Sequence, residues 1–300
     1  MIFKKRKELT GHSAGIYSLA FDGNFLYSAS ADHFVARWNI ELGVQDKFSI
    51  RFETSVYALH LIRDNKFLVV GLSNGDLHIF DLVEKKEIKY FTQHRKAVFA
   101  LADNAVKGHF YAADADGNLS VWNDDSFELL LYIPIDCGKI RRIAVSSNGD
   151  FMALACQDGT IRVFDTTHFN EVSTFKAHKD GCTAVIFHPL VESELISGGK
   201  DALLKLWNWK EGRMIKEVPA HNYVIYDILA INEGQNFVTA SRDKTIKVWN
   251  TEQFTFLQRI DLRAGGHRHS VNTLLGLNSG SFVSGSDDKK VIIFEQDRTV

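Results

Sequence analysis

Three hundred residues carry 35 Lys and Arg against 37 Asp and Glu, a formal net charge of −2, which argues against an obligate nucleic-acid binder, since that needs a concentrated excess of cations. Cys137, Cys156 and Cys182, with no CxxC spacing, give neither a disulfide framework nor a zinc site and predict a reducing compartment. The N-terminal MIFKKRKELTGH has no apolar stretch behind its basic residues, and no run is long enough to span a bilayer, so a cytoplasmic location and no membrane partner are expected.

The first predicted element, residues 2–9, has the position of an outer strand: it precedes Gly11-His12 as residues 171–175 precede Ala177-His178 and 214–218 precede Ala220-His221. A full unit runs from His12 to Trp38. The second, ending at Phe80-Asp81, has Phe52 in place of His and Asn74 in place of a turn Asp, yet keeps the runs VYALHLI and FLVVGLS. The third holds Gln93-His94, Asp116 and Trp122-Asn123; the fourth ends at Phe164-Asp165, keeps Asp158 and has Asp136 in place of His. The fifth and sixth are the most regular. In the sixth, β-rich runs at 224–231, 236–240, 245–249 and 254–260 are separated by turn clusters, which predicts a four-stranded meander. The seventh carries Gly266-His267, Ser284, Asp288 and Phe294, its extra length lying in RAGGHRHS, and it supplies three strands without a fourth. The two ends complement one another, so the N-terminal strand is expected to join the last unit and close a ring without open sheet edges.

The aromatic-plus-Asn/Asp endings at Trp38, Phe80, Trp122, Phe164, Trp207, Trp249 and Phe294 are spaced by 42, 42, 42, 43, 42 and 45 residues. A period of that length with four strands per unit predicts an all-β, seven-bladed β-propeller of four-stranded antiparallel blades, one domain over residues 1–300. The recurring [Gly/Ala/Gln]-His, turn Asp and terminal Trp-Asn resemble the WD40 repeat family over essentially all of residues 2–295, although no unit ends in a literal Trp-Asp.

The resemblance implies a buried hydrogen-bonded tetrad, which His221, Thr239, Asp243 and Trp249 fit by donor counting. The indole N–H donates to the hydroxyl, the hydroxyl to one imidazole nitrogen, and the other imidazole N–H to the carboxylate. Matching sets are His12, Ser28, Asp32 and Trp38, and His178, Ser197, Asp201 and Trp207. Ala112 in blade three and Phe294 in blade seven stand at tetrad positions, so those networks are expected to be broken or water-filled, and blades two and four to have none. His, Ser and Asp together also invite a catalytic-triad reading, but several near-copies in one chain are expected of a structural device, and no catalytic residue is assigned. Asp114-Ala115-Asp116-Gly117-Asn118 resembles part of a calcium loop without its distal Glu. Asp116 is in register with the turn aspartates, so a tight turn is expected, with no metal and no cofactor. His267 belongs to the repeat and His269 is expected to be exposed; Lys4-Lys5-Arg6-Lys7 also admits an anionic-surface or import-signal reading, but is expected to be the solvated side of the outer strand.

Function is then expected where the repeat leaves positions free. In the family, two positions per blade point to the top face: the residue after the first apolar residue of the innermost strand, and the one before the turn Asp. Here the first set is Tyr17, Tyr57, Phe99, Arg141, Thr183, Tyr226 and Asn272; the second is Ala31, Ser73, Ala115, Gln157, Lys200, Arg242 and Asp287. Tyr17, Tyr57 and Phe99 form an aromatic cluster beside small neighbours. Arg141, Lys200 and Arg242, with Lys139 and Arg142, form a basic arc opposite. Aromatic anchors with Arg are the composition of an interface, so a non-catalytic, monomeric scaffold binding a protein or peptide on the top face is expected. Two other readings stand: an anionic ligand or nucleic acid bound through the arc, and aromatic rings that simply pack along the channel. An enzyme in the channel would need a single asymmetric polar cluster, which the sequence does not display, with Arg141, Arg142 and Asp287 left open as residues near it.

Overall fold

Runs of Val, Ile, Leu and Phe broken by Gly, Asn and Asp turns form seven four-stranded antiparallel sheets in the computed structural model, which describes residues 2–297. Met1 and residues 298–300, counted in the expected domain, lie outside the described residues. In six sheets the four strands follow one another in sequence, so each blade is a meander of local hairpins. Blade six illustrates the agreement with sequence: its strands are Ile225–Ile231, Asn236–Ser241, Ile246–Asn250 and Thr255–Ile260.

The seventh sheet combines both ends of the chain. Phe3–Thr10 pairs antiparallel with Lys290–Gln296, from Phe3 opposite Gln296 to Thr10 opposite Lys290. Phe3 is further held by blade six, its N–H donating to Gln258 Oε1 at 2.7 Å and its carbonyl accepting from Gln258 Nε2 at 2.8 Å. The basic run on this strand is solvated and paired: Lys5 meets Glu8 at 3.2 Å and Arg6 meets Glu295 at 3.4 Å. The long approach to blade seven contains a 3-10 turn, Leu262–Ala264, capped by the Asp261 carboxylate.

A single blade has two apolar faces, and each is covered by a neighbour. The core is accordingly seven clusters, each shared by two adjacent blades; Leu26 and Trp38 of blade one, for example, pack with Val283 and Ile293 of blade seven. Burial of this kind scales with area at roughly 25 cal/mol per Å², so no blade gains its share without both neighbours.

Candidate partner-binding site

Three tetrads form as their donors and acceptors dictate. In blade one His12 Nδ1 lies 2.8 Å from Asp32 Oδ2, and His12 Nε2 and Trp38 Nε1 each lie 2.7 Å from Ser28 Oγ. Blade five repeats this with His178 Nδ1–Asp201 at 2.8 Å and Ser197 Oγ 2.9 Å from both His178 and Trp207. Blade six does so with His221–Asp243 at 2.9 Å, His221–Thr239 at 2.8 Å and Trp249–Thr239 at 3.0 Å. Gly199 makes room in blade five, where a Cβ would stand 2.4 Å from the His178 ring. Burial pushes the Asp243 carboxyl up, but hydrogen bonds from His221 and Thr245 outweigh it and hold the group below the usual range; burial lowers His221, which therefore stays neutral.

Blade three corrects two expectations. Its network is complete: His94 Nδ1 bonds Asp114 Oδ2, and Ser120 Oγ meets both His94 Nε2 and Trp122 Nε1, all at 2.8 Å. The acid is Asp114, two residues before the expected Asp116, and it is also the acceptor for the Asp116 and Asn118 N–H groups at 2.9 Å. The apparent calcium loop is thus a turn wound around a tetrad carboxylate. Ser120, on the third strand, lies directly opposite Ala112, so the hydroxyl is delivered from across the strand pair. Its sequence signal was present: Ser120 is two residues before Trp122, on the same face of the same strand. Blade seven keeps His267–Asp288 at 2.9 Å and His267–Ser284 at 2.8 Å, with Phe294 removing the indole donor but leaving the other three residues joined. Blade two fills the slot with aromatic packing, Phe52 lying 5.1 Å from His78 and 5.9 Å from Phe80. The tetrad His and hydroxyl side chains are sealed between blades, Ser28, Ser120 and Ser197 being 0% exposed, so no substrate reaches them as nucleophiles.

The free positions share one structural cause. In every innermost strand the pairing register slips by one residue, and the residue left over is Tyr17, Tyr57, Phe99, Arg141, Thr183, Tyr226 or Asn272. Each first-set residue is a β-bulge, a device that redirects a side chain out of the pleat. The second set is tied to the same rim: the N–H of Ala31, Ser73, Ala115, Gln157, Lys200, Arg242 and Asp287 donates to the carbonyl two residues before the bulge, at 2.9–3.0 Å.

Six of the seven bulge residues, all but Thr183, line one cavity of about 280 Å³ at the top of the channel, together with Arg142, Thr273 and Asp287. Tyr17 and Tyr57 meet edge-to-face at 5.1 Å, and Tyr57 stacks on Phe99 at 5.0 Å. These rings border both this cavity and a longer channel cavity of about 470 Å³ beneath it. The Arg141 guanidinium lies 4.8 Å from the Tyr226 ring centre and Lys139 Nζ lies 4.1 Å from that of Phe99. Thr183 and Asn272 are buried and donate instead to the carbonyls of Ile225 and Ile16 in the next blades. Lys200 and Arg242 stand exposed outside the cavity. Gly15 permits a close approach at the rim, since a Cβ there would be 2.7 Å from the Asp287 carboxylate.

Asp227 went unnoticed in the sequence, because one Asp inside an apolar strand carries no periodic signal. It is 1% exposed, and its Oδ1 lies 2.6 Å from Arg142 of blade four while Oδ2 accepts the Leu274 N–H of blade seven at 2.8 Å. One carboxylate thereby couples three blades across the channel. Burial pushes its pKa up, against the opposing charge of Arg142. With Arg141, Asn272 and Asp287 it makes the upper channel an asymmetric polar cluster, which the repeat pattern alone did not display.

The WD domain, G-beta repeat family model matches residues 3–39, 134–165, 169–208, 212–250 and 259–295, more than half of the chain. The chain belongs to the WD40 family. The segments 3–39, 169–208 and 212–250 begin at or just before an outer strand and 134–165 and 259–295 near the end of one, and each finishes in the third strand of the next blade, so the sequence repeat is offset by about one strand from the structural blade. Among similar proteins are the U3 small nucleolar RNA-associated protein 15 homolog of Gallus gallus (24% identical, covering 68% of this chain and 39% of that protein) and Pre-mRNA-processing factor 17 of Homo sapiens (25%, 80% and 43%). The WD repeat-containing protein 91 homolog of Dictyostelium discoideum is 26% identical over 94% of this chain and 38% of its own length. The chain spans well under half the length of these three curated relatives. The expected cytoplasmic location is corrected by these comparisons: names tied to small nucleolar RNA and pre-mRNA processing point away from the cytoplasm. The pattern that led to that reading, basic N-terminal residues with no apolar stretch behind them, does not separate cytoplasm from nucleus.

Proposed function

We propose that this WD40 propeller is a rigid scaffold that holds a protein or peptide segment over the top of its channel, within a larger assembly. The carrying observation is the ring of seven bulges, which places blade-specific residues on one rim while the tetrads and inter-blade cores repeat beneath them. Tyr17, Tyr57, Phe99 and Tyr226 supply aromatic anchors at small entropy cost, Arg141 a charged fork, and Lys200 and Arg242 an outer rim. Thr183 and Asn272 shape the rim through their inter-blade bonds. Affinity capture from native lysate tests the reading, with Tyr17, Tyr57 and Phe99 all changed to Ala. Loss of captured partners with an unchanged melting temperature is the expected result; collapse of the fold would assign the rings to channel packing.

A second reading, an anionic ligand or RNA on the basic arc, draws on the crowding of cations there. Burial lowers the Lys139 amine, and the nearby charges of Arg141 and Lys200 lower it further. Two of the relatives carry RNA in their names, which supports RNA-containing assemblies as a setting and weakens the argument against nucleic acid drawn from net charge. Steep salt dependence of binding would favour this reading and salt insensitivity would exclude it.

A further inference from the structure

The cavity at the top of the channel gathers hydrogen-bond donors that the chain itself does not use. Among the described residues Arg141 has no hydrogen bond and no carboxylate partner, and neither do the hydroxyls of Tyr17, Tyr57 and Tyr226, yet all four residues line the same space of about 280 Å³. The neighbouring polar groups are committed: Arg142 to Asp227, and the Asn272 amide to Ile16 O and to Asp287 at 2.7 Å. A guanidinium offers five N–H donors and accepts nothing, so a largely enclosed one without an acceptor is costly. Burial indeed pushes the Arg141 guanidinium down.

Aromatic rings at the mouth of a channel would by themselves suit a cationic guest. Here that place is taken. Lys139 lies over Phe99 at 4.1 Å, and Arg141 lies between Phe99, at 5.8 Å, and Tyr226, at 4.8 Å. A second cation would meet two positive charges, whereas an oxyanion would meet the guanidinium fork of Arg141, the lining carboxylate of Asp287 being engaged by the Asn272 amide. The four residues also line one small cavity rather than an extended surface. A nucleic-acid strand gains with each successive phosphate along a surface, so a single enclosed seat suits one oxyanion on a flexible polypeptide better.

We propose that this cavity seats one peptide-borne oxyanion, a carboxylate or phosphoryl group, with Arg141 as its bidentate donor and Tyr17, Tyr57 and Tyr226 hydroxyls closing around it. The site is thus an acidic-segment reader, and it rests on the reading of the top face as the docking face. No covalent step is involved.

The test titrates the full chain with Ac-Gly-Gly-X-Gly-Gly-NH2 probes in which X is Glu, phosphoserine, Gln or trimethyllysine, and separately with oligouridylate, measuring affinity by calorimetry in every variant and, in the unaltered chain, following the Arg141 Nε–H signal by NMR. The Glu or phosphoserine probe is expected to shift it saturably, and which of the two binds tighter identifies the source of the oxyanion. Arg141→Gln is expected to weaken that probe at least about tenfold, the loss of one charged bidentate contact. Arg141→Lys, which keeps the charge without the fork, should fall between. The melting temperature should hold or rise in Arg141→Gln, since an unpaired enclosed charge is removed; a marked fall would make Arg141 a structural residue and overturn the proposal. Equal binding of Gln and Glu probes, tighter binding of trimethyllysine, or a response to oligouridylate alone would also overturn it. If no acidic probe binds while the triple aromatic variant still loses its captured partners, the docking face stands and the oxyanion seat falls. If acidic probes bind through Arg141 while that variant captures normally, the seat stands and the docking face falls.

Discussion

Blades one and three build the same network from exchanged parts. In blade one Ser28 on the second strand faces Ala36 on the third; in blade three Ala112 on the second strand faces Ser120 on the third. Both hydroxyls sit between an imidazole and an indole, at 2.7 Å in the first blade and 2.8 Å in the third. What the blade requires is an oxygen at one point in space, and two directly opposed residues of an antiparallel pair can each reach it. The carboxylate moves as well, from Asp32 after the second strand to Asp114 at its end, because the imidazole fixes where an acceptor must be.

That equivalence can be broken by force. Replacing the indole, Trp38→Ala or Trp122→Ala, removes a large side chain that is 1–2% exposed and should cost about 3–5 kcal/mol in either blade. Chemical denaturation of the two variants should give the same loss within error; a much smaller loss in blade three would make its network decorative.

The hydroxyl exchange gives a finer test. Ser120→Ala strands the Trp122 and His94 nitrogens and should cost about 1–3 kcal/mol, as should Thr239→Val in blade six. Adding Ala112→Ser to Ser120→Ala recreates the blade-one arrangement and should recover most of the loss in melting temperature. Failure to recover would show that the strand supplying the oxygen matters after all.

The smallest effect concerns pH. Burial raises the carboxyl of Asp288, but the bond and charge of His267 together with the Arg268 N–H and the Ser286 hydroxyl outweigh it and bring the group down to about 2. Asp32 and Asp114 are lowered in the same sense, burial being outweighed by the Ser13 N–H, His12 and the Phe34 N–H together at Asp32 and by His94 and Asn118 together at Asp114. A carboxylate depressed in the folded state stabilises fully above its unfolded value of about 4 and loses that contribution as pH falls toward its folded value. His221, lowered by burial, adds a contribution present above about pH 6.5 and lost below it. Melting temperature should therefore decline from pH 7 to pH 3, and Asp288→Asn should flatten its acidic part. Blade two, whose slot is filled by Phe52, His78 and Phe80, has no tetrad carboxylate to contribute.

Much of this was legible in one dimension. The seven endings fixed blade number and register, the complementary ends announced the closing strand, and donor counting named three tetrads residue by residue. Blade three was misread because Ala112 was compared with its counterparts along the chain and not with Ser120 across the strand pair. Asp227 was missed because its partners, Arg142 and the Leu274 N–H, lie 85 and 47 residues away in sequence.

The sequence by itself determined the repeat: periodic apolar runs and turn residues act locally, and seven copies leave one closed arrangement that buries every blade face. Tertiary structure alone decided what the repeat leaves free. A one-residue slip in each innermost strand turns Tyr17, Tyr57, Phe99, Arg141, Tyr226 and Asn272 into a common cavity, and only ring closure makes residues from six blades neighbours. Whether Arg141 has a partner depends on distances across a channel, and those exist only once the ring has closed.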